Sequence, residues 1–340
     1  MFRRLGCVLI SCWLLAGCGK SEGSGSGDFV GAEGAPTGES ASNGPESAVA
    51  GTLTAGAWDD NRNYDFFSQY LEDAASTPGA PLLTKEQRDQ AHALWSAPQG
   101  PKGSLDIAFV VDNTGSMGDE IEYLKVEFDA LVLSIKTAFP GVPVRWATIA
   151  YQDTSDVYLT RVSDFTSDVG KIKHSLMEMG AGGGGDYPEG VDAALAATMT
   201  LDWKSSARLA FWLADAPHHA GTESVVTQAL VSAQQLGVHV YPIAASGADA
   251  LTELTMRSAA QLTGGRYLFL TDDSGVGDPH AEPHIPCYFV TKLDKAVARM
   301  VSIELSGNYV EPASADILRT GGDPADGHCQ LDGGEVVEVF

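Results

Sequence analysis

Two loops carry oxygen ligands at spacings that suit metal chemistry. The first reads Val110-Val111-Asp112-Asn113-Thr114-Gly115-Ser116-Met117, with a carboxylate and two hydroxyls at alternate positions. The second reads Leu213-Ala214-Asp215-Ala216-Pro217. Both follow apolar runs. Such a donor set suits a hard divalent cation, which prefers oxygen to nitrogen or sulfur. Other chemistries fit less well. Gly180, Gly182 and Gly185 satisfy a G-x-G-x-x-G pattern, but they follow a helical stretch and not a strand, against a dinucleotide loop. No Gly-Lys-Ser/Thr follows, so there is no P-loop. His218-His219 are adjacent. His280 and His284 stand four apart among Pro279, Pro283 and Pro286, which forbid the helix that would place them on one face. The histidines therefore read as surface or supporting groups rather than as a zinc frame. No Ser-His-Asp or Cys-His order fits a nucleophile elbow, and no enzyme activity is expected.

Alternating elements must position those loops. Short branched apolar runs predict strands at 105–111, 144–151, 208–214, 238–243 and 266–270. Between them, apolar residues at helical spacing (Ile121, Leu124, Phe128, Leu131, Val132, Ile135) predict a helix. Further helices are expected at 169–179, 188–199, 223–236 and 250–262, and a last one near 290–305. This alternation means βαβ units and a doubly wound α/β sheet. In such a sheet ligands bind beyond the carboxyl ends of the strands, where the winding reverses. Upstream, residues 83–96 read as a helix opening on a Thr84/Gln87 capping box. Ala55–Tyr70 is aromatic and reads as a segment docking on the domain behind it. Its Asp59-Asp60-Asn61 lacks the glutamate of an EF-hand calcium loop.

The Asp112-x-Thr114-x-Ser116 loop after an apolar strand resembles the D-x-S/T-x-S loop of von Willebrand factor type A domains. Gly185-Asp186 lies where that family carries a Gly-Thr, and Asp215 where it carries the aspartate that closes its metal-ion-dependent adhesion site. Asp186 departs from the usual threonine, within a G-G-G-D-x-P-E stretch (183–189) that, beside D-x-T-G-S-M, resembles a branch of the family. The resemblance spans about 105–305. It implies a doubly wound, mostly parallel six-stranded sheet with helices on both faces. It also implies a divalent cation (Mg²⁺ first, Ca²⁺ or Mn²⁺ next) on Asp112, Thr114, Ser116, Asp186 and Asp215. The function implied is non-catalytic: adhesive or protein–protein binding of a protein or matrix partner. With three carboxylates such a site would attract an acidic partner group less strongly. Asp186 also reads as a cap for the helix near Pro188. The alternative function is a metal-dependent hydrolase or phosphotransferase on the same carboxylates, since Asp112-Asn113-Thr114-Gly115-Ser116 is also similar to the phosphorylated loop of haloacid-dehalogenase-like enzymes. A second aspartate two residues after Asp112 is missing for that chemistry.

The N-terminus predicts export. Arg3 and Arg4 precede an apolar run, Leu5–Leu15, that is short for a membrane span. It ends in Leu15-Ala16-Gly17-Cys18, which resembles a bacterial lipobox with Cys18 as the lipidation site. Gly19, with no aspartate after the cysteine, implies the outer membrane by that resemblance. The organisation expected is a signal peptide (1–17), a flexible Gly/Ser-rich tether (18–52), an aromatic and helical flank (53–103), the domain (104–306) and a tail (307–340). Cys287 and Cys329 remain after export. They could pair or stay free thiols. The chain carries 45 acidic against 21 basic residues, a formal charge of −24, which argues against a nucleic-acid partner.

Overall fold

The computed structural model describes residues 49–79, 83–276, 279–281 and 283–340. They lie within one compact unit spanning 44–340. The signal segment, Cys18 and most of the tether lie outside the described residues. Among the described residues, no helix is long and apolar enough to cross a membrane.

The expected strands form as β2 (Leu105–Asp112), β3 (Val144–Tyr151), β5 (Ala207–Ala214), β6 (His239–Ala244) and β7 (Tyr267–Leu270). They make the parallel centre of the sheet in the order β3-β2-β5-β6-β7. Each is buried almost throughout, as a strand covered on both faces must be. The crossover from β2 leads to β3 on one side. The chain then returns past β2 to lay β5 on the other side, so the winding reverses between the carboxyl ends of β2 and β5.

The sheet has nine strands among the described residues, not six. β4 (Thr160–Thr166) pairs antiparallel with β3. At the other side β1 (Thr54–Trp58) lies between β7 and β8 (Tyr288–Lys292), and β9 (Arg319–Gly321) closes the edge. The helices are α1 (Tyr64–Asp73), α2 (Lys85–Trp95), α3 (Gly118–Ala138), α4 (Val169–Met177), α5 (Val191–Met199), α6 (Glu223–Leu236), α7 (Ala250–Thr263) and α8 (Leu293–Ser306). Two apolar clusters, one built around α3 and α8 and one around α5, α6 and α7, cover the two faces. Thr84 accepts from the Gln87 amide and Gln87 returns the bond, completing the capping box of α2.

The aromatic flank is thus part of the sheet. Gly56 in β1 admits no side chain, because a Cβ there would strike the Phe269 ring. Asp60 takes both oxygens to Arg257 (2.7 and 3.1 Å) and accepts from Trp58 Nε1 (2.9 Å), all fully buried. Asp59 accepts from the Asn61 and Arg62 amides and pairs with Arg266 at 3.0 Å. These carboxylates are spoken for by arginine, so the segment is a structural clasp. The tail closes over it: Glu338 meets Arg62 and accepts from Asn63, and Phe340 is buried under the Arg299 guanidinium.

Cys287 and Cys329 form a disulfide, with Cα atoms 6.2 Å apart and 42 residues of sequence separation. It ties the approach to β8 to the short hairpin β10–β11 (His328–Gln330, Val336–Glu338). Constraining a loop of that length in the unfolded chain stabilises by about 4 kcal/mol. Reduction should therefore lower the urea midpoint by a corresponding amount, and an unchanged midpoint in reductant would show the bond to be energetically silent.

Candidate functional site

Asp112 is the last residue of β2 and is wholly buried. In register with it on β3 stands Tyr151, whose hydroxyl bonds the Asp112 carboxylate and accepts from Trp212 Nε1 at 3.1 Å. Ahead of it, Thr114 donates through its amide (3.0 Å) and its hydroxyl (2.7 Å) to Asp112 Oδ1. The Thr114 and Ser116 hydroxyls lie 3.5 Å apart. Ser116 also hydrogen-bonds Asp215, which sits just past β5 and is 3% exposed. The structure therefore brings Asp112, Thr114, Ser116 and Asp215 together at the switch point.

Asp186 is exposed, and no hydrogen bond joins it to those four residues among the described ones. Nor does it cap α5, whose cap position is Gly190. The carboxylate that this loop turns inward belongs to Glu189, which is 3% exposed. Gly184, at φ +72°, sits between Glu189 and Thr114: a Cβ there would lie 2.7 Å from Glu189 Oε1 and 3.2 Å from Thr114 Cβ. The path of the loop is set by bonds from its backbone amides. Gly182 donates to the Asn113 carbonyl (3.0 Å), Gly184 to Asp156 Oδ2 (2.8 Å) and the Glu189 amide to the Pro217 carbonyl (2.9 Å). Tyr187 anchors the outer side, with its hydroxyl bonded to the Asp215 and Gly247 carbonyls. Glu189 was not singled out from sequence. Its one signal was its place three residues after Asp186 and directly before the glycine that opens a helix.

Burial first, then the neighbouring Asp215 charge, push Asp112 up to about 7, against the bonds from Thr114. Burial and then the charges of Asp112 and Asp153 push Glu189 up to about 8. Asp215 is raised by burial, partly offset by Ser116, with Glu120 adding to the rise. Asp112 Oδ2, Asp215 Oδ1 and Glu189 Oε2 are buried without a hydrogen-bond partner. Three orphaned carboxylate oxygens beside two hydroxyls fit a hard cation, which would supply the missing partner and charge. Among the described residues no group of three or more Asp, Glu, His or Cys side chains is arranged to hold an ion by itself. An ion here would depend on the Thr114 and Ser116 hydroxyls.

His219, His280 and His284 each have a carboxylate partner of their own. His219 Nε2 meets Asp153 Oδ1 at 2.6 Å beside the cluster. His280 pairs with Asp272 and His284 with Glu253, both at 2.8 Å. Asp273, just after β7, pairs with Arg319 at 3.0 Å.

A doubly wound sheet with Asp-x-Thr-x-Ser and a second aspartate at its switch point defines an A-type domain. Residues 106–272 match the family model of the von Willebrand factor A domain, and that stretch of the chain is one. The chain is 34% identical over 122 residues to the α-protein kinase vwkA of Dictyostelium discoideum, covering 35% of this chain and 19% of that protein. It is 32% identical over 117 residues to a putative ariadne-like RING finger protein, R811, of Acanthamoeba polyphaga mimivirus, covering 34% and 11%. The chain thus spans a fifth or less of these relatives. Among solved structures it is similar to BatB, a conserved hypothetical protein of Bacteroides thetaiotaomicron (TM-score 0.39, 15% identity, 58% of this chain and 97% of that one). It is also similar to the pilus adhesin SpaC of Lactobacillus rhamnosus GG (TM-score 0.35, 13% identity, 49% and 30%).

The raised carboxylates give a pH test. Asp112 and Glu189 bind protons more tightly in the folded than in the unfolded chain. Their contribution is thus present below about pH 4 and lost as pH rises through about 7 and 8. Metal-free protein should lose melting temperature from pH 5 to 8, and Asp112→Asn should flatten the decline. An equal slope in both proteins would show that Asp112 is not the titrating group.

Proposed function

We propose that this cluster holds one divalent cation through Asp112, Thr114, Ser116, Asp215 and Glu189, and that the domain is a non-catalytic binding module for a protein or matrix partner. The carrying observation is the set of three buried carboxylates, each with an oxygen lacking a partner. Left alone, they repel one another in a site of low dielectric. A cation of two charges, Mg²⁺ first with Ca²⁺ and Mn²⁺ as competitors, reverses that repulsion and ligates the hydroxyls. When bound, it supplies a fixed electrophilic centre for a partner's oxygen atom. Asp112 and Asp215 hold the ion from β2 and β5. Tyr151, which takes a bond from Trp212, orients the Asp112 carboxylate that would hold the ion.

An ion that binds only the native state stabilises it by about 2.7 kcal/mol at a hundredfold excess over its Kd. Calorimetric titration with Mg²⁺, Ca²⁺ and Mn²⁺ should give heat for the parent chain and none for Asp112→Ala. Glu189→Gln should weaken metal binding markedly, whereas Asp186→Thr should leave it nearly unchanged. The reverse order would return the ligand role to Asp186. No heat and no thermal shift in folded parent protein with any of the three ions would remove the cation altogether.

We propose further that Cys18 carries a lipid that tethers the domain to the bacterial outer membrane. The arginine, apolar run and Leu-Ala-Gly-Cys sequence support this reading. Cys18→Ser should give an unprocessed or soluble product in fractionated cells. Unchanged processing and detergent partitioning would contradict the anchor.

A further inference from the structure

A fourth buried carboxylate adjoins the cluster and takes no part in the cation site proposed above. Glu120, in the first turn of α3, is 1% exposed, and its Oε2 atom is buried without a hydrogen-bond partner. Its Oε1 atom accepts from the Ser246 amide (3.3 Å) and from the Ser246 hydroxyl, in the loop after β6. That loop lies against the one carrying Asp215. The Ala245 amide donates to the Ala214 carbonyl (2.9 Å), and a Cβ on Gly247 would stand 3.9 Å from Asp215 Oδ2. Ser116, just ahead of α3, hydrogen-bonds the same carboxylate. Glu120 is thus held beside Asp215, and its charge adds to the rise that burial gives the Asp215 pKa.

Charge and donor type both point to a second ion. The segments 112–120, 180–192, 214–223 and 245–253 contain no lysine or arginine. Asp112, Glu189, Asp215 and Glu120 each keep a buried oxygen without a partner, and ionised they carry four negative charges. A single divalent cation leaves two of those charges unbalanced in a buried site, at a cost that a second cation removes. The donors left over are Glu120 Oε2, the Asp215 carboxylate and the Ser246 hydroxyl, all of them oxygen. Hard divalent ions take such donors: Ca²⁺ binds carboxylates and neutral oxygens in flexible geometry, and Mn²⁺ suits the same oxygens. A carboxylate has two oxygens, so Asp215 can serve two ions at once.

We propose that Glu120, Asp215 and the Ser246 hydroxyl hold a second divalent cation beside the first, with Asp215 shared between the two ions. The proposal rests on the reading of the site given above and adds a second metal position to it. Two cations so close repel each other, so the second ion binds more weakly and fills after the first. Its binding also depends on the first ion, which fixes the shared carboxylate. Once bound, it fastens the first turn of α3 to the loop after β6, where the Gly247 carbonyl accepts from Tyr187.

The test uses the full chain and Mn²⁺ as the probe, with calorimetry for the stoichiometry and electron paramagnetic resonance for the surroundings of the ions. The parent should bind two Mn²⁺ per chain in a tight and a weak step. At saturation the neighbouring ions should give a spin-coupled spectrum. Glu120→Gln keeps an acceptor for Ser246 and removes the charge. It should lower the count from two to one, with the tight step retained and the coupled signal lost. Asp119→Asn, at the exposed position beside it, should leave two. Asp112→Ala should lose both steps. One ion in the parent, or two without spin coupling, overturns the inference and leaves the first site standing. Two ions in Glu120→Gln overturn it as well, as does an equal loss in Asp119→Asn. No ion in the parent removes both readings. Should Glu120→Gln fail to fold, the stoichiometry and coupled spectrum of the parent decide alone.

Discussion

Asp112 ends the central strand β2 with its side chain removed from water and one carboxylate oxygen unpartnered. Burying such a group is costly unless something supplies the lost solvation, and the surroundings of the site answer to that constraint. Thr114 turns back on Asp112 through two bonds, and Tyr151 reaches it from the neighbouring strand with Trp212 behind. Both Thr114 donors hold Oδ1 and leave Oδ2 without a partner, with the charges of Asp215 and Glu189 close by. The fold thereby orients negative charge instead of cancelling it.

Charge is distributed differently at the opposite ends of the strands. Where β2 and β3 begin, Arg145 forms a bidentate pair with buried Asp106. Beside the start of β7, Arg266 joins Asp59 and Glu304, and Glu304 also takes bonds from His239, Tyr241 and Lys102. These cations hold the Glu304 carboxyl far below the usual range despite its burial. Buried carboxylates at that end are neutralised by arginine, lysine and histidine. The loops 112–120, 180–192 and 214–223, which carry Asp112, Glu189 and Asp215, contain no arginine or lysine. The same residue type is paired with cations at the other end, whereas Asp112, Asp215 and Glu189 each keep a buried oxygen without a partner.

The added strands serve the same division. β1, β8 and β9 extend the sheet away from the site, and the disulfide, the Asp60–Arg257 pair and the buried Phe340 fasten the segment after β1 and the tail to that extension. The loops of the site are joined to one another by hydrogen bonds of Asn113, Gln152, Asp156 and Tyr187 and by the Glu189 amide to Pro217.

Much of this was legible in the sequence, for identifiable reasons. Buried parallel strands write themselves as short branched apolar runs, and β3 begins and ends where its run does. Asp112, Thr114, Ser116 and Asp215 could be read because each follows a strand end at fixed spacing, and a strand end is a defined point in space. The order of the strands made the switch point legible too. What lay beyond sequence was set by distant partners. β1 pairs Ala55 with Leu270, and no local period announces a partner so far along the chain. Cys287 and Cys329 could be counted but not paired until the sheet edge and the tail met. The same limit decided between Asp186 and Glu189. Both are carboxylates in one glycine-rich loop, equivalent in type and nearly so in position. Which one turns inward depends on the positive φ of Gly183 and Gly184 and on the bond from the Glu189 amide to Pro217, across to the loop after β5. Residue type named the chemistry, but a loop without its own period takes its direction only from the tertiary contacts that hold it.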